Sequence, residues 1–241
     1  MIRPTQRFHE HSNLLRWLRS LDLPAGARLL EVGCGYGDKM RLMAAEGVEV
    51  VGVDVNEKIV QANREAGLTC MTPDEFDRTT GEFDVLLLAH IIEHFLPEGL
   101  RELMDHYLDR VKVGGHAIVA TPTLWPGFHD EFDHVRPYPP QALLELFGEQ
   151  RRSFQFVARN RLSLVGVRLR RRPLGGRSRR PLTAAPSPDM WRKLGRKLHS
   201  VLFKASFGLL GQTTGWCGLF RKLEPRSAQT SQQGGSACVA C

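Results

Sequence analysis

Three glycines spaced two residues apart follow a short apolar run near the start of the chain. The segment LLEVGCGYGD places Gly33, Gly35 and Gly37 directly after residues 28–32, which have the apolar character of a buried strand. Glycine adopts backbone angles that other residues avoid and lets a ligand approach the main chain closely. Because ligands of open α/β sheets bind at the carboxyl ends of the strands, we predict a binding turn at these glycines.

Two acidic residues near the turn indicate what the ligand carries. Asp54 ends the next predicted strand, twenty-one residues after Gly33, where a carboxylate can accept both hydroxyls of a ribose. Glu31 precedes Gly33 by two residues, where an acid would repel a pyrophosphate but suits the cationic amino group of an amino acid. The G-x-G-x-G spacing also differs from the G-x-G-x-x-G of dinucleotide sites. These residues favour a nucleoside cofactor that carries an amino-acid group.

Four histidines follow the predicted fourth and fifth strands: His90, His94, His129 and His134. Histidine suits general base catalysis because its unperturbed pKa lies near neutrality. His134 is our first choice for a base, because it stands in the loop after the fifth strand. His90 and His94 are one helical turn apart, and a capping or packing role is the favoured interpretation of His94.

Two further patterns offer metal ligands. The run HDEFDH at 129–134 contains nitrogen and oxygen donors of the kind that divalent metals bind. This loop spacing is less specific than two histidines on one helix face, so we predict a solvated polar loop and no metal. Cys238 and Cys241 have the spacing of half a zinc or redox site, and without a second pair we interpret them as incidental.

Strands and helices must alternate along the chain to position these residues. The apolar patterns predict strands at 28–32, 48–53, 68–71, 83–88 and 116–121, and helices at 10–21, 38–46, 56–66, 97–111 and 142–147. Two further strand-like runs, 153–158 and 162–169, are expected to pair as an edge hairpin. The order predicts an α/β fold, namely a Rossmann-like, doubly wound, mostly parallel seven-stranded sheet with an antiparallel C-terminal hairpin. A basic amphipathic helical extension is expected to follow it.

Charge divides the chain into two parts. Residues 1–150 hold 14 Lys and Arg against 24 Asp and Glu, whereas residues 151–222 hold 18 Lys and Arg and a single acid, Asp189. We predict a catalytic domain at 1–170, an Arg/Pro/Gly-rich linker at 171–188, a basic amphipathic helical segment at 189–223 and a disordered tail at 224–241. The basic part is expected to contact something anionic.

The segment 189–223 has the pattern of a helix that lies on a bilayer surface. Apolar residues recur on one side of the predicted helix, namely Trp191, Leu194, Leu198, Leu202, Ala205 and Leu209. The other side carries the mostly basic residues Arg192, Lys193, Arg196, Lys197, Ser200 and Lys204. Helices with one apolar and one basic side bind in the plane of a membrane surface. An anionic membrane is the favoured partner, and packing of the apolar stripe on the catalytic domain is the alternative. Nucleic acid is not favoured, because aromatic residues do not interleave with the arginines.

Composition excludes several classes of protein. The 241 residues are 42% apolar and 24% charged, which is unlike disordered or collagen-like chains. Apolar runs long enough to span a bilayer are absent, and the N-terminus lacks the apolar core of a secretory signal. With five cysteines in a chain of this length, we expect a reduced, cytoplasmic protein, with peripheral attachment to the inner face of the membrane as an option.

The E-x-G-x-G-x-G turn and Asp54 resemble the signature of class I S-adenosylmethionine-dependent methyltransferases, in the broad small-molecule group related to ubiquinone-biosynthesis methyltransferases. The resemblance covers about residues 10–170 and includes FDVLLLAHIIEHF, VKVGGHAIVATPT and HVRPYPPQALLELF. It implies S-adenosyl-L-methionine as cofactor. The cofactor-binding residues it implies are Glu31, Gly33, Gly35, Gly37, Asp54, Val55, Ala89 and His90. The adenine contacts stay open, because 72–77 offers no clean match.

The resemblance implies methyl transfer to a small-molecule or lipid-linked acceptor, with oxygen as the expected target, for example in a saccharide or a quinone precursor. The candidate catalytic residues are His134, His90 and His94. Two alternatives remain: an RNA or protein methyltransferase, and a non-catalytic cofactor-binding membrane adaptor. Nucleic-acid bases are disfavoured, because Ala89-His-Ile-Ile stands where base-amino methyltransferases carry Asn/Asp-Pro-Pro-Tyr. The complete glycine turn argues against a decayed site.

Overall fold

The structure is a computed structural model that describes residues 4–149, 156–173, 190–206 and 211–226. The helices are α1 (Pro4–Arg19), α2 (Asp38–Ala44), α3 (Glu57–Glu65), α4 (Pro73–Asp77), α5 (Pro97–Leu108), α6 (Pro140–Phe147) and α7 (Met190–Ala205). The strands are β1 (Arg28–Val32), β2 (Glu49–Val53), β3 (Cys70–Met71), β4 (Phe83–Ala89), β5 (Val111–Pro122), β6 (Arg161–Pro173) and β7 (Gly211–Leu223).

The described strands form one sheet of seven in the order β3-β2-β1-β4-β5-β7-β6. Strands β1 to β5 pair in parallel, and β7 runs antiparallel to both β5 and β6. The predicted α/β class, the mostly parallel sheet and the antiparallel C-terminal hairpin are confirmed. Strand order reverses between β1 and β4, which opens the crevice where doubly wound sheets bind ligands.

One of the two predicted hairpin strands was wrong. The predicted strand 162–169 lies within β6, but it pairs with β7, whereas residues 156–158 form no strand and residues 153–155 lie outside the described part of the chain. In β7 seven consecutive residues, 214–220, are buried, because this strand lies between β5 and β6. The predicted helical segment 189–223 therefore divides into helix α7 and a strand of the sheet, and the fold continues well past residue 170.

Strand β4 is buried on both faces, as expected for a parallel sheet covered by helices on each side. Leu86 and Leu88 join an apolar cluster with Met104 of α5. Val85 and Leu87 point to the opposite face and join a second cluster with residues of α1 and α2. All seven β4 residues are buried. The strand that ends at the candidate site is thus fixed from both sides.

Candidate functional site

The glycine turn has the backbone that its sequence predicts. The φ angles of Gly33, Gly35 and Gly37 are 68°, 52° and 74°, in the left-handed region that favours glycine. Gly33 donates its N–H to the Val53 carbonyl at 2.7 Å, which ties the turn to the end of β2. A Cβ added to Gly35 would meet no atom within 4 Å. The main chain at Gly35 is therefore open to a ligand.

Asp54 links the end of β2 to this turn. Its Oδ2 accepts a hydrogen bond from the Gly35 N–H at 2.9 Å, and its Oδ1 accepts one from the Asn56 N–H at 2.9 Å. Two backbone donors thus fix the carboxylate and leave lone pairs on both oxygens for further donors. The next residue, Val55, is exposed although it is apolar. A carboxylate beside an exposed apolar side chain suits a ribose and its base.

Glu31 is fully buried beneath the turn. Among the described residues, neither of its carboxylate oxygens has a hydrogen-bond partner. Burial raises the pKa of Glu31 to about 8. Buried carboxylates are normally paired, because burying an isolated charge is costly. This unpartnered acid fits a cofactor that brings its own cationic group, as the amino group of S-adenosylmethionine would.

A cluster of charged side chains lies at the carboxyl end of β4, and we call it the Glu10 cluster. Glu10 of α1 accepts hydrogen bonds from His90 Nε2 at 2.8 Å and from Arg170 Nη1 at 2.5 Å. His90 Nδ1 lies 3.1 Å from Glu93 Oε1, and Glu93 Oε2 accepts from the Thr121 hydroxyl at 2.9 Å. Helix α1, strand β6 and the ends of β4 and β5 therefore meet at one point.

This geometry does not favour His90 as a general base. Burial alone would lower the pKa of His90, but the charge and hydrogen bonds of Glu10 and Glu93 outweigh it and raise the value to about 9. Both ring nitrogens are occupied by these carboxylates. A histidine that is protonated and paired on both sides cannot accept a proton at neutral pH. The backbone of His90 is also unusual, with φ at 62°. Ala89, which precedes it, is buried.

The rings of His134 and His94 pack edge to face, with their centres 5.1 Å apart. His134 Nδ1 donates to the Phe128 carbonyl at 2.8 Å, and His94 Nδ1 donates to the Asp133 carbonyl at 3.0 Å. Carbonyl oxygens only accept, so each ring, when neutral, keeps its lone pair on Nε2. His134 Nε2 lies 3.4 Å from the exposed Glu131 carboxylate. His129 is exposed.

Ligand atoms of Glu93, His94 and His134 lie within 4.8 Å of one another, a spacing that could hold a metal ion. In the structure, however, the Glu93 carboxylate already accepts from His90 and Thr121. The expectation that the site uses no metal stays a prediction.

Sequence reasoning missed Glu10 and Arg170. They lie 160 residues apart in the chain, on elements whose meeting depends on the whole sheet. Nor did the sequence predict a role for Glu93. Burial of three charged residues could not be foreseen, because nothing in their local sequence distinguishes them from surface charges.

The sequence model of one family, described as a methyltransferase domain, matches residues 5–157. The chain is similar to a ubiquinone biosynthesis O-methyltransferase of Nitrobacter winogradskyi, with 32% identity over 111 residues, covering 43% of this chain and 41% of the relative. It is also similar to a ribosomal protein L11 methyltransferase of Bordetella parapertussis, with 34% identity over 115 residues, covering 44% of this chain and 34% of the relative. The chain thus spans less than half the length of either relative.

Among solved structures, a SAM-dependent methyltransferase from Archaeoglobus fulgidus superposes with a TM-score of 0.55 at 19% identity, covering 89% of this chain and 94% of that one. This likeness shows a shared fold. The family match covers more than half of the chain and includes the glycine turn, Asp54 and the ends of β4 and β5. The chain therefore belongs to the methyltransferase-domain family, and it shares the fold of a SAM-dependent methyltransferase.

Proposed function

We propose that the enzyme methylates a hydroxyl oxygen of a small-molecule or lipid-linked acceptor, such as a saccharide or a quinone precursor. The observation that carries this proposal is His134, whose Nδ1 is held by the Phe128 carbonyl. An acceptor hydroxyl loses its proton as the new bond to carbon forms, and a positioned imidazole can take that proton. Similarity to an O-methyltransferase of ubiquinone biosynthesis agrees with oxygen as the target.

The cofactor supplies a methyl group on a positively charged sulfur, which needs little further activation. In this proposal Glu31 binds the cofactor's amino group, and the backbone of Gly33, Gly35 and Gly37 passes beneath its amino-acid part. Asp54 accepts the ribose hydroxyls, and Val55 lies beside the base. Ala89 and His90 border the cofactor at the end of β4. Much of the rate enhancement then comes from holding acceptor and methyl group in line.

His134 is the proposed base. Its Nε2 takes the acceptor proton while the Phe128 carbonyl keeps the ring oriented, as a second partner does for other catalytic histidines. His94 packs against His134 and positions it. His90, which the sequence also suggested, is assigned to the Glu10 cluster instead.

A protein or RNA acceptor is the alternative within enzymes, and the match to a ribosomal protein methyltransferase favours it. A non-catalytic cofactor-binding adaptor is the alternative outside enzymes. An adaptor would not need a histidine whose Nδ1 is fixed by a backbone carbonyl. For this reason we favour the enzyme with a hydroxyl acceptor.

Turnover of a catechol probe, 3,4-dihydroxybenzoate, tests the assignment of the base. We expect His134→Ala to lower the rate of S-adenosylhomocysteine formation by about 10²-fold, because general base catalysis contributes on this order. Cofactor affinity should stay near that of the parent. The exposed His129, in the same loop, provides the matched control, and His129→Ala should leave turnover unchanged. Equal rates for the two variants would exclude His134 as the base.

We place the enzyme in the cytoplasm, attached peripherally to the inner face of the membrane through the segment that contains α7. No helix in the described part of the chain is long and apolar enough to cross a bilayer. Such attachment would give the enzyme access to a lipid-linked acceptor.

A further inference from the structure

Helix α7 lies at the same edge of the sheet as the candidate site. Because β7 is antiparallel to β5, the beginning of β7 lies beside the end of β5, and Gly215 pairs with Pro122. The Phe203 ring packs so closely on Gly211 that an added Cβ would lie 2.6 Å from it. The helix is thus anchored at the carboxyl edge of the strands, where the cofactor crevice opens.

The apolar stripe of α7 faces away from the protein. Leu198, Val201 and Leu202 are 56%, 61% and 43% exposed, whereas Phe203 is only 7% exposed. Residues three and four apart share one helix face, so the three exposed side chains form one stripe. Among the α7 side chains that the structure describes, the stripe therefore does not pack on the catalytic domain.

The loop 123–135, which we call the mouth loop, adds apolar surface beside the crevice. Leu124 is 69% exposed and Phe132 is fully exposed. The loop is fixed to the site, because the Val135 N–H donates to the Glu93 carbonyl at 2.9 Å. It is also fixed to β6, because the Arg172 guanidinium lies 4.0 Å from the centre of the Trp125 ring. Arg172 in turn neighbours Gly211, on which Phe203 packs.

The charge of α7 favours one kind of partner. Residues 190–205 contain five Lys and Arg and no acid, whereas the mouth loop contributes Asp130, Glu131 and Asp133. A helix that combines an exposed apolar stripe with this excess of positive charge suits an anionic lipid surface, because basic residues are attracted to such a surface. A protein partner of neutral surface would leave the basic groups without counter-charges.

We propose that α7 and the mouth loop form one membrane-contact face, which turns the opening of the methyl-transfer site toward an anionic bilayer. The acceptor is then an amphipathic lipid whose apolar part stays in the membrane while its hydroxyl enters the crevice. The hydroxyl acceptor and the attachment through α7 rest on the proposed function, whereas the inclusion of the mouth loop in the contact face does not.

Flotation of the whole chain with lipid vesicles tests this face without requiring turnover. The parent should float with vesicles of phosphatidylcholine mixed with phosphatidylglycerol, float poorly with phosphatidylcholine alone, and be released by high salt. We expect Leu198→Glu with Leu202→Glu to lower vesicle affinity by about 10-fold or more, since each change replaces an exposed leucine that the bilayer would bury. Phe132→Ser should lower it by roughly 3-fold or more, because Phe132 is one of the apolar side chains that enter the bilayer.

The exposed Val113 lies near the amino end of β5, away from the crevice, and provides the matched control. Val113→Glu should float like the parent. Loss of flotation in the α7 variant but not in Phe132→Ser would overturn the orientation of the site. The membrane face would be overturned if the parent did not bind anionic vesicles. It would also be overturned if the parent were a dimer that covers the stripe and that Leu198→Glu with Leu202→Glu dissociates. A chain that floats as expected but methylates no hydroxyl probe would contradict the proposed function alone.

Discussion

Glu31 is the residue whose environment says most about the cofactor. Its carboxyl group is fully buried, and none of the described residues pairs with it. Folding thus places an acid where ionisation of the carboxyl group costs free energy. Ionisable groups with such perturbed pKa values are common at functional sites. The contrast with Glu93, which is equally buried but accepts two hydrogen bonds, shows that burial alone does not leave an acid unpartnered.

The first prediction concerns Glu31→Gln. Losing the charged acceptor should weaken S-adenosylmethionine binding by about 10-fold or more, since hydrogen bonds to charged groups contribute about 1.5–3 kcal/mol. The folded protein holds the Glu31 pKa at about 8, above the ordinary value of 4.5. The folded state therefore binds the proton more tightly, and stability falls as the pH rises from 4.5 through about 8. In thermal unfolding, the variant without cofactor should consequently be the more stable chain above pH 8.

Glu49→Gln is the control, because Glu49 is exposed at the opposite end of the neighbouring strand β2. It should bind the cofactor and unfold like the parent. Parent-like cofactor affinity in Glu31→Gln would mean that Glu31 does not bind the amino group.

At the level of elements, helix α1 is held to the sheet by the Glu10 cluster. One carboxylate on the helix accepts hydrogen bonds from His90 at the end of β4 and from Arg170 on β6. Burial would raise the pKa of Glu10, but His90 and Arg170 hold it below its ordinary value. The N-terminal helix is thereby fixed next to the crevice.

Glu10→Gln should lower the free energy of unfolding by about 3 kcal/mol, because it leaves buried cations without their counter-charge. In the parent, the His90 pKa is raised from 6.5 to about 9. Its contribution to stability is therefore fully present below pH 6.5 and is lost as the pH rises through about 9. Urea unfolding across this range should show a steeper alkaline loss in the parent than in Glu10→Gln. The exposed Glu98 is the control position, and equal slopes for parent and Glu10→Gln would contradict this role of the cluster.

The elements differed in how well local sequence predicted them. Strands β1, β2 and β4 are short apolar runs that end in glycines or polar residues, and their positions were predicted to within one residue. Strand β7 was missed, because Gly218 interrupts its apolar residues 216–220 and the segment 189–223 has the pattern of a basic amphipathic helix. Its assignment depends on burial between β5 and β6, which is a property of the assembled sheet. The glycine turn was predictable because it is local, whereas the Glu10 cluster joins three distant segments.

At the level of the whole molecule, β7 connects the C-terminal part to the core. Trp216 and Phe220 are buried, and the Trp216 indole donates to the Tyr138 carbonyl at 2.8 Å. A chain that ends at Pro188 lacks this strand and exposes β5, so we expect it to lose cooperative unfolding. A chain that ends at Arg226 keeps β7 and should unfold like the parent. Circular dichroism during heating distinguishes them, and a cooperative transition in the shorter chain would show that the sheet does not need β7.

The most direct test of the site as a whole is calorimetric titration with S-adenosylmethionine. The parent should bind one equivalent, and Asp54→Ala should bind about 10-fold more weakly or worse, because the ribose hydroxyls lose a charged acceptor contributing roughly 1.5–3 kcal/mol. Glu57→Ala, which removes an exposed acid three residues further along the chain, should bind like the parent. Absence of binding to the parent, or equal affinities for the parent and Asp54→Ala, would contradict a cofactor site between the glycine turn and the end of β2.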